Sequence, residues 1–440
     1  MNDREHSPLK RPVFFVALAL AVAASASTWF YMNHILRAQQ IAYAAAHHVP
    51  RGNLSDLYPR WLGARELLLR RSNPYSSEIT RKIQQGYYGR PLNPALPDDP
   101  KDQQSFAYPP YVVFLLAPTV TLPFDEVQIG FRWLLIALAP VSVLLWLRVL
   151  RWKASSWTAL IAAMLAVGWL PMVQGIKLQQ LSLLAAGLLA ACGACLAVGW
   201  LACAGMLLAL ATIKPQLTWP LGLWLLVWAA SDWPQRRRLA ISFGTVTLLL
   251  LAGAEWLLPG WPRMFLEAIA EYHRYTQNQS IPVYLFGRIA GRIVEAASVL
   301  ACAVCLWRTR REPATSATFG RAFALVLALT VLIVPMFAPY NQVLLVPAVL
   351  ALVWSEISRD PILPAVRLAR IVGAVPLVWP WLGTIFLSAV YPCLTPGLRQ
   401  KLLMVPFFSN FWIPIFVFGL LLLHAWNAHP RNLRENVAQE

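Results

Sequence analysis

Apolar segments recur along almost the whole 440-residue chain, and they decide what it can fold into. A helix spanning a bilayer needs about 20 apolar residues, and it satisfies its own backbone polar groups where no water can. Segments of that length or somewhat shorter occupy residues 12–32, 127–148, 157–173, 181–198, 200–213, 216–230, 239–258, 285–307, 321–337, 342–354, 368–390 and 405–425. The expected fold is all-α: a polytopic transmembrane helical bundle of about 10–12 helices, with residues 1–440 forming a single integral membrane domain. Only 13% of residues are charged, against about 25% in a soluble protein. The 20 tryptophans suit helix ends at the water–lipid interface.

A net charge of +17 raises the question of nucleic acid. The distribution excludes it. The basic residues fall in short clusters between apolar segments: Lys10-Arg11, Arg148 to Lys153, Arg236 to Arg238, Arg308 to Arg311, Arg359 to Arg370 and Arg431 to Arg434. Such clusters mark cytoplasmic loops. They predict both termini on the cytoplasmic side. Residues 12–32 carry an Ala24-Ser25-Ala26 stretch resembling a signal-peptide cleavage site, yet the run is long enough to span and ends in Trp29, Phe30 and Tyr31. The expectation is a retained first helix. The C-x-x-C pairs Cys192/Cys195 and Cys302/Cys305 lie inside apolar segments with no His or acid nearby, and read as small packing residues.

The first helix then delivers residues 33–105, a polar stretch of membrane-length-free sequence, to the outer face. Near its start stands Asp56, ahead of a helix expected over 57–71 with Asp56 as its N-cap. Leu57, Trp61, Ala64 and Leu68 follow helical spacing, so this helix is expected to lie in the interface. Residues 91–105 are Pro- and Asp-rich and read as irregular loop. Residues 106–123, with Pro109, Pro110, Pro118 and Pro123, read as an interfacial or re-entrant segment that walls a site. A second outer segment covers 259–284.

A carboxylate fixed on an outer loop is the right tool for accepting a proton from an acceptor hydroxyl. Lys214, in Ile213-Lys214-Pro215, interrupts an apolar stretch; an intramembrane cation either snorkels at the break or meets an anion, for which a phosphate is the obvious partner. Arg288, Arg292 and Glu295 share one helical face, either as a self-neutralising trio or with charge to spare for an anion. Gln179-Gln180-Leu181-Ser182 opens another helix, its amides free to bind sugar hydroxyls or to satisfy the helix end. Asp98, Asp99 and Asp102 read as a solvated acidic loop rather than a cation site. No P-loop, dinucleotide fingerprint, H-E-x-x-H or G-x-S-x-G pattern occurs.

The ordered set of motifs resembles glycosyltransferase family 87, the DUF2029 group of the GT-C membrane superfamily. The matching residues are Asp56-Leu57-Tyr58 with Trp61 and Ala64, Asn73-Pro74-Tyr75, Tyr108-Pro109 with Pro118 and Pro123, and Gln180-Leu181-Ser182. Further on come Ile213-Lys214-Pro215, Asn278-Gln279-Ser280 with Arg288, and Pro339-Tyr340-Asn341-Gln342. The resemblance implies a GT-C-like fold with residues 33–105 as an extracytoplasmic catalytic loop carrying interfacial helices. It implies a polyprenyl-phosphate sugar donor, mannose-like as in similar mannosyltransferases, and inverting transfer to a lipid or glycan acceptor outside a bacterial inner membrane. Asp56 maps to the general base and Lys214 to the neighbourhood of the donor phosphate. Gln180, Tyr75, Tyr108, Asn278, Gln279, Arg288 and Asn341 become expected substrate-binding residues. No metal and no cofactor is implied. Two departures stand out: the mannosyltransferases tend to carry histidine in the loop that here reads Pro339-Tyr340-Asn341-Gln342, and Gln179-Gln180 replaces the commoner Gly-Gln. The rival expectation is a transporter or flippase of lipid-linked sugar, using the same cavity without Asp56 chemistry; transporters often show inverted repeats, and none is evident here.

Overall fold

The first helix runs well past the point where its apolar stretch stops. In the computed structural model, which describes residues 11–93, 95–276, 278–335, 338–357 and 364–427, Arg11–Phe30 passes through a π turn, Tyr31–Leu36, into Arg37–Ala46. The 35 residues from Pro12 to Ala46 make a rod of about 50 Å, against a hydrocarbon core of about 30 Å. Residues 33–46, expected at the start of the polar stretch, therefore continue the first helix, and irregular backbone begins near residue 47. The π turn is pinned by burial of Tyr31, Met32, Ile35 and Leu36, and by the Tyr31 hydroxyl donating to the Leu403 carbonyl.

Among the described residues, most of each of the twelve apolar segments is helical, with breaks at 168–169, 287, 334–335 and 408–411, and there is no strand. Six helical stretches are long and apolar enough to cross a bilayer: Pro12–Ala46, Phe124–Val149, Trp233–Leu257, Arg288–Thr309, Ile371–Cys393 and Pro396–Ala425. A seventh is the pair Ser156–Val167 and Leu170–Lys177, bent by 57°. The chain is thus a polytopic helical membrane bundle. The apolar helices Leu181–Ala197, Leu201–Ala211 and Ala317–Ile333 are shorter, and Ala317–Ile333 is buried along nearly its whole length. A helix surrounded by protein need not match the bilayer thickness, so its ends are free to stop where a polar site is required.

Two cores meet at that site. The larger joins Leu135 and Trp146, Leu189, Leu208, Trp224, Phe323, Leu344 and Val417. The smaller belongs to the outer loop. Helices Tyr58–Arg70 and Ser77–Tyr88 bury Leu57, Trp61, Leu67, Ile79 and Ile83 against Phe106, Tyr111, Val112 and Leu116. Ser76 caps the second helix by accepting from Ile79 N. Gly63 permits the contact with Phe106, whose ring would lie 2.3 Å from a Cβ there. Leu181 and Ile213 also belong to this outer core. The residues next to them, Gln180 and Lys214, are thereby carried up into the loop layer.

The basic clusters divide. Lys10, Arg359 and Arg431 to Arg434 lie outside the described residues. Arg236 is buried, and its guanidinium donates to the Trp228, Arg310, Arg311 and Glu312 carbonyls. It satisfies orphan carbonyls at the ends of helices Pro215–Ala230 and Arg288–Thr309. Cys192, Cys195, Cys302 and Cys305 are free thiols within helices.

Candidate active site

Asp56 is held at the junction of the loop layer and the bundle. It is not a helix cap: the N-cap of Tyr58–Arg70 is Leu57, with no side chain capping it. The Asp56 N–H donates instead to the Leu178 carbonyl at 2.9 Å, which ties the loop to the end of helix Leu170–Lys177. Its carboxylate is free for other work. Tyr87 Oη donates to Oδ1 at 3.0 Å, and Gln180 Nε2 donates to Oδ2.

The turn that presents Gln180 is a Schellman motif. Gln180 N bonds to Gly175 O at 2.9 Å and Gln179 N to Ile176 O at 3.2 Å, with Gln179 in the left-handed position at φ 49°. Glycine occupies that conformation without cost, which is the physical sense of a Gly-Gln pair there. Here Gln179 bears the strain and uses its side chain: Oε1 accepts from Ser55 Oγ at 2.6 Å, and Nε2 donates to the Ile176 and Lys177 carbonyls. Leu54 is likewise left-handed at φ 50°. Two strained turns, each costing about 1–3 kcal/mol, are locked to each other beside Asp56.

From Gln180 the network continues inward. Lys214, at the break ahead of helix Pro215–Ala230, donates from Nζ to Gln180 Oε1 at 2.9 Å and to Ser182 Oγ at 2.6 Å. Ser182 Oγ donates to Asn341 Oδ1 at 2.8 Å. Lys214 is only 3% exposed, so it does not snorkel. Among the described residues no carboxylate touches it. The rings of Tyr340 and Tyr108 flank its ammonium at 5.3 and 5.7 Å, and the Arg60 guanidinium lies 4.4 Å from the centre of the Tyr108 ring. Arg60 binds the Asp56 carbonyl through one nitrogen, while its buried Nε has no partner.

These groups line one cavity of about 480 Å³, within the usual range for a small-molecule site. Its walls include Asp56, Arg60, Tyr87, Tyr108, Gln180 and Lys214. Residues 106–123 do wall it, through Ala107, Tyr108 and Pro109. Helix Trp261–Thr276 closes another side with Phe265, Ile269, Tyr272 and His273. Asp102 also faces the cavity. Its carboxylate accepts from Gln104 N at 2.9 Å and Gln104 Nε2 at 2.8 Å, and burial raises its pKa above the ordinary value. Burial first, then the Asp56 charge, raises the Tyr87 pKa far above the ordinary phenol value, so Tyr87 stays a donor.

Of the residues expected from sequence, Asp56, Gln180, Lys214 and Tyr108 come together at the cavity. Asn341 stands two hydrogen bonds behind Lys214, through Ser182. Tyr75 supports from outside, its hydroxyl donating to the Tyr108 carbonyl at 2.6 Å. Arg288 and Gln279 are exposed and Asn278 half-buried, and none of the three lines the cavity. Arg292 pairs with Glu295 at 3.1 Å on the same exposed helix. Asp99 is taken by Arg90 at 2.5 Å, leaving Asp102 apart from it. Among the described residues no group of three or more His, Cys, Asp or Glu is placed to hold a metal ion. Sequence reading missed Tyr87, Arg60, Asp102, Tyr272, His273 and Tyr340. The helical spacing of Phe265, Ile269, Tyr272 and His273 was the signal for one wall.

A helical membrane bundle that sets a carboxylate, a buried lysine and a stacked arginine around one cavity defines an integral membrane protein with a candidate active site. Residues 106–335, more than half of the chain, match the sequence model of glycosyltransferase family 87. The chain belongs to that family. It is a membrane glycosyltransferase, and its partners are a sugar donor, an acceptor and the lipid bilayer. No curated protein and no solved structure matches it. The matched region contains Tyr108, Gln180 and Lys214, while Asp56 lies ahead of it.

Proposed function

We propose that this protein transfers a sugar from a polyprenyl-phosphate donor, mannose-like in preference, to a lipid or glycan acceptor at the outer face of the bacterial inner membrane. Residues 33–105 form the extracytoplasmic catalytic loop within a single integral membrane domain of residues 1–440, and both termini are cytoplasmic. The observation that carries the reading is the continuous chain Asp56–Gln180–Lys214, which sets a carboxylate and a buried, carboxylate-free cation on the wall of one cavity.

The chemistry follows from those groups. An acceptor hydroxyl approaches Asp56, which takes its proton as the oxygen attacks the anomeric carbon. The bond from that carbon to the phosphate oxygen breaks, and the electron pair leaves with polyprenyl phosphate. The leaving phosphate meets Lys214 as a point charge, with the Arg60 guanidinium on the same wall adding positive charge. Because the nucleophile enters opposite the leaving group in one displacement, the anomeric configuration inverts. Tyr87 and Gln180 fix the carboxylate so that the proton transfer happens within hydrogen-bond reach.

The test is reconstitution of the full chain into vesicles with labelled polyprenyl-phosphate mannose, glucose and arabinose, against membrane extract. One donor, mannose first among them, gives a labelled glycoside. A protein that moves lipid-linked sugar across the vesicle wall and forms no glycoside is a transporter, and the proposal fails.

A further inference from the structure

A second cavity, of about 920 Å³, lies behind Asp56. It shares two wall residues with the first: Tyr87, which donates to Asp56, and Leu178, which accepts from its N–H. Its other walls come from helix Arg37–Ala46, the segment 47–54, the end of helix Leu170–Lys177 and the region near Gln400. Arg37, Arg51, Arg132 and Lys177 line it, and no Asp or Glu does. Among the described residues none of the four meets a carboxylate. Lys177 spends one donor on the Met32 carbonyl at 2.7 Å, within the π turn, and keeps two. Burial first, then the Arg37 charge, lowers the Arg51 pKa, as expected of cations facing each other with no anion between them. Four cations around one half-enclosed space with no acid among its walls make a positive potential that attracts an anion.

We propose that this second cavity binds the phosphate of an anionic membrane lipid, on the acceptor side of the transfer reaction, with Arg37, Arg51, Arg132 and Lys177 as its cation set. The four come from the extended first helix, the loop leading to Asp56, helix Phe124–Val149 and the turn before Gln180. A phosphate held there and a donor phosphate held at Lys214 lie on the two sides of the Tyr87–Asp56–Leu178 partition. The cavity's amides, among them Asn53, Gln128 and Gln400, suit the hydroxyls of a lipid headgroup. The word acceptor rests on the glycosyltransfer reading; the binding does not.

The experiment measures binding alone. Full-length protein in phosphatidylcholine nanodiscs is titrated with dioctanoyl phosphatidylglycerol, and separately with inorganic phosphate, by thermophoresis. The lipid binds saturably and inorganic phosphate binds far more weakly. Arg51→Gln weakens the lipid by about tenfold or more, the scale of a charged hydrogen bond. The double variant Arg37→Gln/Arg132→Gln does the same; both residues are exposed, so their loss spares the packing. Arg263→Gln, at a cation 88% exposed on another helix, leaves the affinity unchanged. Equal loss in Arg263→Gln would show surface charge and overturn the site. Equal binding of inorganic phosphate would overturn the lipid assignment. Asp56→Asn retains lipid binding, so a failure of the catalytic reading is seen separately from a failure of this one.

Discussion

On the proposed mechanism, replacing Asp56 by Asn removes the base and almost nothing else. The asparagine oxygen still accepts from Gln180 Nε2, and its NH₂ turns to Tyr87 Oη, which can accept as well as donate. No helix cap is lost, because Leu57 holds that position. Lys214 keeps Gln180 Oε1 and Ser182 Oγ. Stability and donor affinity are therefore expected to survive, while transfer falls by about 100-fold or more, the scale of acid–base catalysis. That loss is about 2.7 kcal/mol in the barrier. Asp56→Ala behaves differently. It strands the Tyr87 hydroxyl and Gln180 amide, at about 1–3 kcal/mol for each buried orphan, so the melting temperature falls along with the rate. The assay is glycoside formation in proteoliposomes at saturating donor, read beside the donor Kd and a thermal melt for each variant. Wild-type transfer by a well-folded Asp56→Asn protein would refute the argument.

Three further outcomes follow from the same geometry. Tyr87→Phe removes one of the two donors that orient the carboxylate, and transfer is expected to fall by about tenfold with donor Kd unchanged; a wild-type rate would reduce Tyr87 to packing. Lys214→Gln is expected to weaken donor binding by about tenfold or more without lowering the melting temperature, since glutamine can still donate to Gln180 or Ser182 and a buried cation with no carboxylate partner adds little stability; unchanged donor Kd with a lowered melting temperature would make Lys214 structural. Arg236→Gln is expected to destabilise the fold by about 2 kcal/mol or more, because carbonyls at two helix ends lose their donor, with donor Kd intact in the protein that remains folded; an unchanged melt would contradict the capping role.

The bundle was legible because a bilayer leaves the backbone one answer: among the described residues, most of each apolar segment is helix. Their number as full spans was less legible, since a buried helix such as Ala317–Ile333 is as apolar as a spanning one and shorter. The continuation to Ala46 was hidden by polar residues, which give no sign that an apolar helix persists into the interface. Asp56 and Lys214 stood out as charges in unusual places. Their connection through Gln180 joins positions 124 and 34 residues apart, and no local spacing encodes it. The expected cap failed for a simple reason: the carboxylate found Tyr87 and Gln180, and Leu57 started the helix. Tyr87 was invisible because it ends an ordinary amphipathic helix whose buried face also holds Ile79 and Ile83. Arg288, expected from its motif, sits on an exposed helix face away from the cavity.

The most direct measurement is a structure of the full chain in nanodiscs with a non-hydrolysable polyprenyl-phosphonate sugar. The account predicts the phosphonate within hydrogen-bond reach of Lys214 Nζ and Arg60, with the anomeric carbon facing Asp56 across the first cavity. A phosphonate seated instead among Arg37, Arg51, Arg132 and Lys177, with the sugar remote from Asp56, would contradict it.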